Sequence, residues 1–167
     1  AGYEPGDNVV HILSMGSLTT EALKASEALL AKGISANVIV VTSPDLLCGI
    51  QAHENDYAYL KQSLQITPHL YLKTSEQSAQ TEDIVTVSGK RIPIVSVHDG
   101  EAGILDNLGS IIGVKQESCA VRKHSKCGRP SDIYAYHGLD ADSIVEAAGK
   151  VSSETALEKT LVSYKAL

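Results

Sequence analysis

Four groups of residues have types and spacing that could do chemistry. The run Ser14-Met15-Gly16-Ser17-Leu18-Thr19 places a glycine and hydroxyls where a strand gives way to a helix. Free backbone N–H groups and the helix dipole point outward from such a turn, so Gly16, Ser17 and Thr19 can hold a small anion. The same residues can equally be a plain capped helix start. The run His98-Asp99-Gly100-Glu101 puts an imidazole and two carboxylates at one strand end, side chains that bind a metal or exchange protons. Neighbours on a strand point to opposite faces, so only a loop brings them together; otherwise they form a polar loop set against another domain. Cys119, His124, Cys127 and His137 follow the spacing C-x4-H-x2-C-x9-H, with the ligand types of a zinc site. That spacing matches no common zinc framework, and Cys119 falls on a predicted buried strand, where a small thiol is an ordinary core residue.

Nucleophilic catalysis finds less. Gly33-Ile34-Ser35-Ala36-Asn37 lacks the last glycine of a G-x-S-x-G elbow. It also lies between a helix and a strand, whereas the elbow runs from strand to helix. Cys48 has His53 close in sequence, but closeness in sequence does not make a thiolate–imidazole pair. Neither a G-x-G-x-x-G nor a G-x-x-x-x-G-K-[ST] phosphate loop is present. These residues do not assemble an enzyme by themselves. They suggest a module whose partner supplies the chemistry.

The elements that position these groups follow from hydrophobic pattern. Residues 9–14, Val-Val-His-Ile-Leu-Ser, read as a buried strand. Leu18, Ala22, Ala25 and Leu29 recur at spacings of 4, 3 and 4, one face of a helix over 18–32, with Ser17 as N-cap and Gly33 as the stop. A second strand is expected at 38–42, completing a right-handed βαβ unit. Residues 53–64 suit a short helix. Residues 64–90 carry short apolar pieces at 70–72 and 84–87 and a turn at 88–91, either a small hairpin or an excursion from the sheet. A strand at 92–97 leads to the loop 98–103, a helix over 104–112 and a short strand at 118–122. The loop 123–131 precedes one helical turn at 132–136, and Asp140 caps a last helix through Val151 with Ile144, Val145 and Ala148 inward.

The sum is a single domain: an α/β, three-layer α/β/α arrangement around a mostly parallel sheet of about five strands. Its core spans about residues 8–151, and 152–167 follow as a surface helix or tail. Ligands of such sheets sit beyond the C-terminal strand ends, here 14–17, 42–45 and 98–103.

Composition narrows the classes. The 167 residues are 43% hydrophobic and 20% charged, enough apolar material for a core, with seven Tyr and no Phe or Trp. Fourteen basic residues against 20 acidic ones give a net charge of −6, which disfavours nucleic acid as a partner. No apolar run approaches the ~18 residues of a membrane helix. Three cysteines form no disulfide framework, so reduced thiols and a cytoplasmic location are expected. The chain opens Ala1-Gly2-Tyr3, with no signal peptide and no initiator Met, which leads us to expect a piece of a larger protein.

The order of these pieces resembles the C-terminal domain of the transketolase superfamily. The resemblance rests on Val9–Ser17 with the helix that follows, on Val38–Asp45, and on Ile94–Gly103. Most specific is the late run from Gly128-Arg129-Pro130-Ser131 through Tyr136-His137-Gly138-Leu139-Asp140 to Ala148. Within the superfamily the chain looks most like the C-terminal domain of the homodimeric pyruvate dehydrogenase decarboxylating component, with transketolases as close competitors. The resemblance implies a thiamin-diphosphate enzyme, a 2-oxo acid dehydrogenase (an oxidoreductase) or a transferase. Its other domains would hold thiamin diphosphate and Mg, and this domain would be structural, without cofactor, metal or catalytic residues of its own. The family's Gly-Asp-Gly diphosphate motif is indeed absent here; the nearest string is His98-Asp99-Gly100. Implied partners are the other domains of the parent, a second subunit of a homodimer, and other components of a 2-oxo acid dehydrogenase complex. His98, Asp99, Glu101, His124 and Arg129 are the expected interdomain or dimer contacts. The alternative is a free-standing α/β module for a small anion or a metal.

Overall fold

The computed structural model describes residues 8–48 and 92–165. The expected helix at 53–64 and the segment 64–91 lie outside the described residues. Strand β1, Val9–Ser14, is buried at all six positions. It is central because both its faces are apolar enough to be covered. Around it the sheet runs β2-β1-β3-β4, with β2 Ser35–Val40, β3 Ile94–Glu101 and β4 Gln116–Val121. All pairings are parallel. The described sheet thus has four strands where about five were expected.

Helices cover both faces, which makes the three layers. On one face, Val10, Ile12, Val95, Val97 and Cys119 pack beneath helix α1, Thr19–Ala31, and a long closing helix, Ala141–Lys165. On the other, Leu13 and Ile94 meet Leu47 and Cys48 of helix α2, Pro44–Cys48, and Leu108 of helix α3, Leu108–Ile112. Helix α4, Pro130–His137, leads into the closing helix, α5.

Several boundaries differ from expectation, each for a physical reason. Helix α1 starts at Thr19, after a 3-10 turn at Gly16–Leu18, so Ser17 sits inside that turn and caps nothing. At its other end, Gly33 has φ +77°, Gly33 N–H donates to Leu30 O at 3.0 Å and Ile34 N–H to Leu29 O at 3.0 Å, the double closure a left-handed glycine permits. That closure delivers Ser35 directly onto the sheet, where its N–H meets Asn8 O at 2.9 Å. Strand β2 therefore begins three residues before the expected start, on polar residues an edge strand tolerates. Strand β3 continues through His98–Glu101 instead of ending at Val97, with a register shift between Val97 and Glu101. Such a bulge bends the strand and re-aims its side chains. The expected helix over 104–112 is split into a 3-10 turn at Ala102–Ile104 and α3. Helix α4 has eight residues rather than one turn, opened by Pro130 in its first turn. Helix α5 runs unbroken for 25 residues, so the stretch after Val151, expected as a surface helix or a tail, continues the same helix. Asp140 does cap it: Oδ1 accepts from Ser143 N–H at 3.4 Å.

Candidate functional site

Strand order reverses between β1 and β3, because the chain leaves β1 toward β2 on one side and β3 toward β4 on the other. Ligand crevices of parallel sheets open at such a reversal, beyond the C-terminal strand ends. Here that point is tied shut by side chains from three elements. The Ser17 hydroxyl, in the turn after β1, donates to Asp99 Oδ2 of β3 at 3.0 Å. The Tyr134 hydroxyl of α4 donates to Ser17 Oγ at 3.0 Å. Met15 N–H donates to Val97 O at 3.0 Å, holding the two strand ends in line.

Gly16, Ser17 and Thr19 are gathered at this turn, as their sequence spacing implies. Gly16 has φ +56°, and the Thr19 hydroxyl donates back to Gly16 O at 3.0 Å. A free anion there would approach the carboxylate of Asp99, which already takes the Ser17 hydroxyl.

The His98–Glu101 run does not converge. His98 is 1% exposed, on the face of the sheet opposite α1 and α5, while Asp99 and Glu101 are exposed. Gly100 N–H donates to His98 Nδ1 at 3.3 Å, so Nε2 carries the ring hydrogen, and it finds no partner. Burial holds the His98 imidazole below its usual range, opposed by the nearby carboxylates of Asp106 and Asp99. His98 is therefore a neutral interior residue, not the outward contact expected of it. A β carbon at Gly100 would lie 2.6 Å from Ile104 Cδ1 and 3.3 Å from His98 Nδ1, so a side chain there would displace the end of Ile104 and crowd the imidazole.

The zinc spacing does not close either. Cys119 lies in the core under α1 and α5, and burial pushes its thiol up to about 11. Cys127 is exposed in the loop before α4, and His137 Nε2 lies 3.3 Å from Ser125 Oγ. Among the described residues no three His, Cys, Asp or Glu side chains are grouped to hold a metal ion. Cys48 donates to Pro44 O at 3.3 Å, and burial, with Asp45 adding to it, raises its thiol to about 11, so it is no thiolate nucleophile. Its sequence neighbour His53 lies outside the described residues. Gly33 and Ile34 close α1 and Ser35 opens β2, so this run is not an elbow.

His124 and Arg129 are exposed in the β4–α4 loop. Two arrangements had no sequence signal of their own. Tyr134 reaches Ser17 across 117 residues. Gln116, at the start of β4, binds Ser96 Oγ at 3.0 Å, Leu105 O at 2.7 Å and Gly109 N–H at 2.5 Å, stitching β3, β4 and α3 together. The alternation of Gln116 and Ser118 on one strand face is the nearest thing to a clue.

Comparison with solved structures then decides the fold. An inactive β4 tetramer of a split-gene transketolase superposes with a TM-score of 0.53 at 18% identity, over 89% of this chain and 40% of that one. Transketolase from Pichia stipitis gives a TM-score of 0.53 at 16% identity, over 90% of this chain and 17% of that one. Its complex with sedoheptulose-7-phosphate gives the same values. The chain shares its fold with one part of transketolase. It spans less than half the length of these structures, and at this identity the likeness carries the fold alone. No protein-family model matches the chain, and no curated protein sequence does. Among the described residues no helix is long and apolar enough to cross a membrane.

Proposed function

We propose that this chain is the C-terminal structural and assembly domain of a thiamin-diphosphate-dependent enzyme of the transketolase superfamily, a pyruvate dehydrogenase decarboxylating component or a transketolase, and that it is not catalytic alone. The observation that carries this is coverage: 90% of the chain superposes on only 17% of a transketolase. The site chemistry supports it. A diphosphate with Mg needs grouped oxygen ligands and donors free to meet phosphate oxygens. The described residues offer no such group, and at the crevice the Ser17 hydroxyl is already given to Asp99. The described residues do not fit thiamin diphosphate. The chain's partners are then the remaining domains of its parent and a second subunit, and in a dehydrogenase the other components of the complex. Asp99, Glu101, His124 and Arg129 remain on the surface for such contacts.

Calorimetric titration of the chain with thiamin diphosphate and Mg2+ tests this. No saturable heat is expected. Tight binding to the chain alone would overturn it. Saturable binding of inorganic phosphate, lost in Ser17→Ala, would favour a free-standing anion module.

A further inference from the structure

The chain has one segment whose charge opposes the rest. Residues 122–129, Arg-Lys-His-Ser-Lys-Cys-Gly-Arg, contain four fixed positive charges and no acid, and every one of them is exposed. The whole chain has 14 basic residues, so ten remain elsewhere against 20 acidic ones. Despite that excess of carboxylates, Lys123, Lys126 and Arg129 have none in ion-pair range among the described residues; only Arg122 is spoken for, by Asp106 at 3.3 Å.

The loop is also held in shape. Lys123 Nζ lies 3.8 Å and Lys126 Nζ 4.2 Å from the centroid of the same Tyr136 ring. A cation over an aromatic face is attracted to it, so the ring holds both ammonium groups in place. They can be no farther apart than those two distances together, and among the described residues no carboxylate pairs with either to relieve their mutual repulsion. His137 adds a contact to Ser125 at 3.3 Å, and Gly128 lies close to Ile133, leaving a β carbon there only 3.1 Å from Ile133 Cδ1. Ordering two lysines normally costs entropy at the moment of binding; here much of that cost is met before a partner arrives.

We propose that the β4–α4 loop, through Lys123, Lys126 and Arg129 organised on Tyr136, is a docking surface for an acidic segment of a protein partner. Carboxylates suit it better than nucleic acid, because the chain's net charge of −6 repels a long phosphate backbone and the Tyr136 ring is already taken by the lysines. The charges lie along an exposed loop, so they suit an extended segment with several acids. Such contacts speed encounter and fix register more than they add affinity, and salt weakens them. The partner's identity rests on the assembly role proposed above; the loop's preference for carboxylates does not.

The test is an NMR titration of the full, 15N-labelled chain with a ten-residue poly-glutamate peptide at low and at physiological salt. A saturable, one-to-one shift of residues 122–129 and Tyr136 is expected, weakening at least tenfold at the higher salt. Lys123→Glu combined with Lys126→Glu should weaken binding tenfold or more with an unchanged thermal melt, and Lys32→Glu, just past the end of α1, should leave it unchanged. Equal binding by the double variant, shifts spread over the surface, displacement by equimolar inorganic phosphate, or tighter binding of a short DNA duplex would each overturn the proposal. None of those results would touch the cofactor titration, so the two readings fail separately.

Discussion

Ser17 and Asp99, 82 residues apart, are joined by a 3.0 Å hydrogen bond across the point where the order of the described strands reverses. The hydroxyl comes from the turn after β1 and the carboxylate from the bulged end of β3, so the contact exists only because β3 runs four residues past Val97. A carboxylate of the chain itself stands at the place where α/β sheets commonly receive an anionic ligand.

Removing that carboxylate should change binding more than stability. Asp99→Ala loses an exposed hydrogen bond, a cost of about 1 kcal/mol in urea denaturation. Phosphate affinity at the Gly16–Thr19 turn should rise in this variant, because the repelling charge is gone. Phosphate titrations that are indistinguishable between variant and parent would count against that turn as an anion site.

The Gln116 network is expected to be far more sensitive. Gln116→Leu leaves Gly109 N–H without its acceptor in a part-buried setting and leaves Leu105 O with only the longer bond from Leu108 N–H at 3.4 Å, a loss of about 2–3 kcal/mol. Gly109→Ala attacks the same contact from the other side, since its β carbon would lie 2.6 Å from Gln116 Cβ and 2.8 Å from Val114 O. Overpacking of this kind costs about 1–3 kcal/mol. Chemical denaturation midpoints measure both, and a shift smaller than that of Asp99→Ala would refute the ranking.

Two helices are joined through one carboxylate. Glu21 of α1 takes Lys24 Nζ at 2.6 Å on one oxygen and the N–H of Ala141, at the start of α5, at 3.1 Å on the other. A carboxylate at a helix start satisfies a free N–H and faces the positive end of the dipole. Glu21→Ala should cost about 1 kcal/mol and speed hydrogen exchange at Ala141 and Asp142, while exchange in β1 stays slow.

Acid should loosen the fold through its interior histidines. Burial lowers His11 from 6.5 to about 4, and His98 moves in the same direction. Both are neutral when folded, whereas the unfolded chain takes up their protons below 6.5. Between those values the unfolded state binds more protons, so stability is full above 6.5 and falls as pH drops toward 4, by up to about 3 kcal/mol for His11. Melting temperatures measured between these limits should fall less steeply in His11→Leu than in the parent. Parallel curves would show that other groups set the acid limb.

Much of the fold was legible because apolar pattern is local. The spacing of Leu18, Ala22, Ala25 and Leu29 predicted α1, and three of the four bury fully in it while Leu18 does so in the turn before it. The unbroken apolar run of β1 marked a strand covered on both faces. What pattern reads poorly is a strand whose residues are polar for a non-local reason. Ser35–Asn37 are in β2 because the sheet edge tolerates them, and Gln116 is in β4 because Leu105, Gly109 and Ser96 supply its partners. The loop expected at 98–103 is mostly strand because β3 shifts register after Val97 and pairs again with β4 at Glu101 and Val121.

The residues alone determined an α/β domain with helices on two faces, an acidic surface, and the absence of recognisable nucleotide-loop motifs, since each follows from composition and short-range periodicity. Only the tertiary structure decided that His98 turns inward, that Cys119 lies in the core while Cys127 is exposed, and that Tyr134, Ser17 and Asp99 meet. Those outcomes depend on strand order and a bulge, which bring together groups separated by more chain than any spacing rule can reach.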